Sequence, residues 1–295
     1  MNWLKKRPAY PLLLPGMLWL AIFFFIPMAV MLYKSLETVT VDLNYQQHFT
    51  FDWNFSNYTD NISQYKSQFA RSFLYAAIAT VAAFLIAYPL AYVIAFRGGR
   101  WKNLLLLLVI APFFTNYLIR TLAWQTILAD NSVVTSTLDA MHLLSITDAL
   151  GWTQQSRLLA TPLAVVSAIT YNYLAFMVLP LYVSLEKIDQ RLLEASLDLY
   201  ANRVKAFMKV TFPLSLPGVF AGTLLTFIPA TGDYINAEIL GSPQTRMIGN
   251  VIQSKFLIFN DYPAASALSF TLMAIMLVFI AIYAKLLGTE EVTTV

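Results

Sequence analysis

Six apolar runs, each long enough to cross a bilayer as a helix, constrain this chain more than any other feature. A helix needs about 20 mostly apolar residues to span the hydrocarbon layer. Inside that layer every backbone N–H and C=O must be paired within the protein, which favours helices. The runs extend from about Leu12 to Tyr33, Phe69 to Phe96, Asn103 to Ala123, Leu158 to Val183, Leu214 to Ile235 and Pro263 to Leu287. They predict an all-α integral membrane protein with six transmembrane helices. Charged residues make up 12% of the chain, against about 25% in a soluble domain. The first run is too long and too proline-rich for a cleaved signal peptide and lacks a small-residue cleavage site, so it reads as a permanent span.

Basic residues orient the spans. Lys5, Lys6, Arg7, Arg97, Arg100, Lys102, Lys187, Arg191, Arg203, Lys205, Lys209 and Lys285 all fall at one set of ends. That asymmetry predicts cytoplasmic N and C termini. The net charge of +3 is small, which gives no reason to expect nucleic acid as a partner. There is no cysteine, hence no disulfide framework and no thiolate metal site. His48 and His142 are far apart and lack ligand spacing. No G-x-x-x-x-G-K-[ST] phosphate loop occurs, so any ATP the protein uses must be bound by another subunit.

Two outer loops are long. Residues 34–68 are polar and aromatic, with Asn-x-Ser/Thr triplets at Asn54, Asn57 and Asn61. These are either glycosylation acceptors or chance matches in an Asn/Ser-rich loop. In the second loop, Val134, Leu138 and Met141 recur at helical spacing, which predicts a short surface helix over 132–144 with His142 on its wet face.

A polar segment between the fourth and fifth spans departs from the rest of the chain. Residues 190–199 are helical by composition, with Asp189 as N-cap. Glu194 and Asp198 are four apart and share a face, a repulsion of a few tenths of a kcal/mol in an isolated helix. Asn202 can adopt a left-handed turn. A second short helix over 203–210 follows, and Pro213 suits the first turn of the fifth span. On these grounds alone the segment is either a solvated loop or a docking element whose partner supplies positive charge.

Glu194-Ala195-Ser196, Asp198-Leu199-Tyr200-Ala201, Phe207, Val210, Phe212-Pro213-Leu214 and Pro217-Gly218 resemble the EAA motif of binding-protein-dependent ABC importer permeases. The spacing matches over more than 20 residues. Ser196 stands where the family has a second Ala, and Tyr200 where it has Gly. The resemblance implies a type I ABC importer permease-like bundle in the bacterial inner membrane. It implies that the helix at about 190–201 is a coupling helix, with Glu194, Ala195, Ser196, Asp198, Leu199, Tyr200 and Ala201 docking on an ATPase subunit dimer. ATP and Mg would be bound by that partner, with no cofactor on this chain. A second permease subunit in a heterodimer and an extracytoplasmic substrate-binding protein complete the expected assembly. The implied division is a first helix and outer loop over 1–68, a permease core over 69–287 and a tail over 288–295. Gly232-Asp233-Tyr234, Asn236 to Gly241 and Ile248 to Ile252 further resemble the branch of permease subunits from spermidine/putrescine importers.

A polyamine path would need carboxylates for ammonium groups and aromatic faces for cation–π contact. Asp233, Tyr234, Asn236 and Glu238 are candidates at the outer end of the fifth span, where Pro229 bends the helix. The alternative for Asp233 and Glu238 is an interfacial carboxylate in water. Asn172 and Tyr173 fall near mid-membrane and either line the path or bind a neighbouring helix. Asn116, Tyr117 and Arg120 form a third cluster, with Arg120 expected to snorkel and Trp124 to anchor at the interface. Tyr88 and Tyr92 read as packing around Pro89. Another small solute carried by the same kind of permease is the nearest alternative. A stand-alone secondary transporter would show carboxylates near mid-membrane, and an enzyme would need a nucleophile–base or metal constellation; the sequence offers neither.

Overall fold

The computed structural model describes residues 10–44, 46–141, 143–149, 151–153 and 157–287. The residues of the first basic cluster, His142 and the tail over 288–295 lie outside the described residues. The chain divides into two compact units. One comprises residues up to Tyr65 together with Ile252–Ala274, and the other Lys66–Val251 and the residues from Ile275.

In the first unit, α1 (Tyr10–Leu20) runs through a π turn at Ala21–Phe25 into α2 (Ile26–Ser35). The stretch Leu13–Ser35 is apolar and long enough to span a membrane. Within the stretch read as a long polar loop lies a hairpin of β1 (Glu37–Val41) and β2 (Gln47–Phe51), paired antiparallel from Glu37 opposite Phe51 to Val41 opposite Gln47. Alternation of Val39 and Val41, and of Phe49 and Phe51, with polar residues is the period of a strand. The hairpin is tied down by stacking of Tyr33 on Phe51 at 4.6 Å and by a Gln47 Nε2 bond to the Phe259 carbonyl. Asn57 Nδ2 donates to the carbonyls of Ser35 and Glu37, and Asn61 is buried with its amide on the Asn57 carbonyl. Asn57 and Asn61 therefore serve the packing, which favours chance over glycosylation for their triplets.

The helix α3 (Ser56–Arg97) begins well before the expected Phe69. Asn54 Oδ1 accepts from Ser56 N at its start, and the backbone leaves helical geometry at Tyr65. In the second unit, Tyr88 is buried and its hydroxyl pairs with Ser215 Oγ at 2.9 Å, so it does pack beside Pro89.

The third expected span is broken. Helix α4 (Lys102–Ile110) tightens into a 3-10 turn over Ala111–Phe114 and meets α5 (Tyr117–Ile127) at a bend of 94°. Pro112 lacks the N–H that would continue the ladder. Thr115 is extended, and Asn116 caps the next helix by accepting from Leu118 N at 2.8 Å. Among the described residues five helices are long and apolar enough to cross a membrane, and the bent pair makes a sixth if it counts as one span. The outer segment then forms α6 (Val133–Ala140), capped by Ser132, and α7 (Leu143–Ala149). Leu138 and Trp124 pack on a buried cluster of Leu128, Leu144, Leu158 and Leu240. Trp124 is thus a packing residue as well, edge-on to Tyr171 at 5.5 Å.

Helix α8 (Pro162–Glu186) and helix α11 (Phe212–Thr231) pack side by side. Gly218 and Gly222, a G-x-x-x-G pair that the sequence reading passed over, permit the approach. A methyl group at position 218 would lie 2.5 Å from Ser184 Cβ and 2.7 Å from the Pro180 carbonyl oxygen. At position 222 it would meet the movable Met177 Sδ at 2.8 Å. Gly218→Val should therefore lower stability by about 2 kcal/mol, read as a lower unfolding temperature in detergent. Gly222→Ala should cost clearly less; equal losses would contradict this packing.

The fifth span starts earlier than Leu214. The helical run covers Arg203–Thr231, with α10 (Arg203–Ala206) passing into a π turn at Phe207–Thr211 and then α11. Pro213 therefore sits inside a continuous run, next to the π turn. A π turn relaxes the i→i−4 register where a proline cannot donate. The helices α12 (Ile235–Leu240), α13 (Ile248–Leu257) and α14 (Tyr262–Leu287) complete the described residues. Lys102 Nζ bonds Glu186 Oε1 at 2.5 Å and lies over the Tyr182 ring, joining the ends of α4 and α8.

Candidate functional site

The polar segment folds as the short helix α9 (Gln190–Asp198). Asp189 caps it, its carboxylate accepting from Arg191 N at 2.9 Å. At the other end, Tyr200 N donates to the Leu197 carbonyl and Ala201 N to the Ser196 carbonyl. That paired closure requires a left-handed residue after the C-cap, usually Gly. The residue there is Tyr200, with φ of +62°. The expected position for left-handed backbone was Asn202, but Asn202 has φ of −73° and caps α10, accepting from Lys205 N. Helix-end hydrogen bonding, not side-chain preference, selects the left-handed position. The conformation costs a non-glycine residue about 1–2 kcal/mol.

Much of the apolar surface of this segment is open. Leu192 and Leu197 are half-exposed, Leu199 is 81% exposed and Tyr200 97%. Ala195 and Glu194 are exposed as well, and Ser196 returns its hydroxyl to the Leu193 carbonyl. Among the described residues neither Glu194 nor Asp198 forms an ion pair. An apolar groove of about 760 Å³ adjoins the segment, lined by Leu192 and by Pro180, Ser184, Pro217 and Gly218 of the α8–α11 pair.

A second locus lies where α5, α8 and α12 meet. Asp233 is 6% exposed and Asn236 0%, so Asp233 is not a carboxylate in water. Tyr117 donates its hydroxyl to Asp233 Oδ2 at 2.6 Å. Asn236 donates its side-chain amide to the same oxygen at 2.7 Å and its backbone N–H to Oδ1 at 3.1 Å. Asn236 Oδ1 in turn accepts from Thr121 and from Asn172 Nδ2. Tyr173 sits beside Tyr117 and Asp233. A carboxylate with several donors is stabilised where an unpaired one would be very costly. Asn172 is buried and its Oδ1 has no partner.

The other expected path residues diverge. Asn116 is spent on its helix cap and is exposed. Tyr234 is half-exposed, and its carbonyl accepts from Asn250 Nδ2. Glu238 is exposed and accepts from Asn250 as well. Asn250 was part of the recognised sequence pattern without a role; it is fully buried and fastens α13 to α12. Arg120 does not simply snorkel. Its guanidinium lies over the Phe113 and Tyr117 rings at 5.3 and 5.5 Å, with Nε buried and unpartnered. Thr121, buried and bonded to Asn236, is a member that sequence reasoning missed. Among the described residues no group of His, Cys, Asp and Glu is arranged to hold a metal ion.

Residues 87–287 match the family described as "Binding-protein-dependent transport system inner membrane component". The chain is similar to the spermidine/putrescine transport system permease protein PotB of Haemophilus influenzae, at 36% identity over 90% of this chain and 89% of that one. It is similar to PotB of Escherichia coli at 34% identity, covering 90% and 92%. Its fold is similar to a crystal structure of a bacterial ABC transporter involved in the import of the acidic polysaccharide alginate. That match has a TM-score of 0.65 at 17% identity and covers 94% of this chain and 93% of the other. With five or six apolar helical spans among the described residues and a family match over most of its length, the chain belongs to the inner-membrane components of binding-protein-dependent transport systems.

Proposed function

We propose that this chain is the permease subunit of an ATP-driven ABC importer for polyamines such as spermidine and putrescine. Its similarity to the PotB permeases over nine-tenths of the chain carries the substrate assignment. In this reading both termini are cytoplasmic and α9 docks on a separate ATPase dimer, which binds ATP and Mg. A second permease subunit pairs with this one, and an extracytoplasmic binding protein delivers the solute. Residues 69–287 act as the permease core, with residues 1–68 and 288–295 as additions to it.

The physical support for coupling is the α9 end, where Leu197, Leu199 and Tyr200 present apolar surface on a charged helix. For the path, Asp233 with Tyr117, Tyr173 and Asn236 combines a carboxylate with aromatic rings, a chemistry suited to ammonium groups. Asn172 adds an unpartnered acceptor beside them.

Uptake by cells expressing the complete transport system tests the substrate class. Radiolabelled spermidine should accumulate and be competed by putrescine at comparable concentrations. Indifference to both amines, with import of a sugar or an anion, would remove the polyamine assignment and leave the family membership intact.

A further inference from the structure

The left-handed Tyr200 is the one residue of the α9 segment whose backbone and side chain pull in opposite directions. Glycine would close the helix end without strain, yet a large aromatic residue stands there at φ of +62° and leaves its ring 97% exposed. Its backbone N–H serves the helix end, but nothing among the described residues uses the ring. A strained backbone position that displays an unused aromatic side chain points to a binding role. Tyrosine is among the residues that most often dominate an interface when buried by a partner.

We propose that Tyr200 is an aromatic anchor for the ATP-hydrolysing subunit, seating its ring in an apolar pocket of that partner beside Leu197 and Leu199. The proposal rests on the reading that α9 docks on such a subunit. The partner's chemistry follows from the charges around the ring: an apolar pocket flanked by cationic groups facing Glu194 and Asp198, whose carboxylates are unpaired among the described residues.

The test uses the full permease complex in nanodiscs and the purified ATPase subunit of the same transport system. Tyr200→Gly should fold at least as stably as the parent while binding the ATPase about tenfold more weakly, and Tyr200→Phe should retain the parent's affinity. Tyr200→Asn, which also tolerates the left-handed turn, should bind as weakly as the glycine variant. The chain has no cysteine, so Tyr200→Cys carries one environment-sensitive label. That label should report water before the ATPase is added and an apolar site afterwards. Parent-like affinity of Tyr200→Gly, or an apolar report before the ATPase is present, overturns the anchor. Leu199→Asp separates the two claims. If it binds normally, the docking of α9 itself fails; if it fails to bind while Tyr200→Gly binds normally, only the anchor fails.

Discussion

Leu199→Asp should leave the permease folded and reduce its association with the ATPase at least a hundredfold, with ATP-dependent uptake falling to background. The physical basis is the contrast between two environments. Leu199 is 81% exposed in the free chain, so a carboxylate there meets water and costs the fold little. Surface substitutions of that kind usually change stability by less than about 0.5 kcal/mol. In a docked interface the same carboxylate would be stripped of water inside an apolar contact, next to Asp198, a few kcal/mol against binding. Co-purification with the ATPase from detergent, run beside an unfolding curve of the permease, separates the two effects. A folded variant that still binds would remove α9 from the coupling path.

Asp233→Ala is expected to do the reverse and damage the fold and transport together. It would remove the acceptor of the Tyr117 hydroxyl and of the Asn236 backbone N–H, while Asn236 Nδ2 would keep its bond to the Tyr117 oxygen. Each unsatisfied buried group costs about 1–3 kcal/mol. Removal of the buried charge returns part of that, so a net loss of about 3 kcal/mol is expected. Asn236 also holds Thr121 and Asn172, which spreads the damage to α5 and α8. Asp233→Asn keeps the shape but turns an amide donor toward existing donors, so an intermediate loss is expected. Thermal unfolding in detergent and initial uptake rates read both. A parent-like unfolding temperature for the alanine variant would contradict the network.

What the sequence made legible divides along physical lines. The spans were readable because the cost of moving a side chain into hydrocarbon depends on composition summed over a window. The helix start at Asp189 was readable because a capping carboxylate acts on N–H groups only two or three residues away. The 94° break after Phe114 was not called, although Pro112, Thr115 and Asn116 spell it locally. An apolar window does not sense direction. The hairpin after Ser35 was missed for a related reason: its alternation is short, and its stability depends on contacts with residues such as Phe259 and Tyr262, more than 200 positions away. The left-handed position went to Tyr200 rather than Asn202 because the closure of α9 counts hydrogen bonds from the helix end. At the polar locus Asp233 and Asn236 were recognised, but Tyr117 and Thr121 join them only through the bend that brings α5 against α12.

The absence of cysteine from the chain allows the joint between α9 and an ATP-driven partner to be measured by crosslinking. A single Leu199→Cys variant, labelled with a thiol-reactive photo-crosslinker, can be illuminated in the fully assembled transporter in native membranes. One dominant adduct is expected, with the ATP-hydrolysing subunit. Adducts with lipid alone, from a complex that still imports its solute at the normal rate, would contradict it.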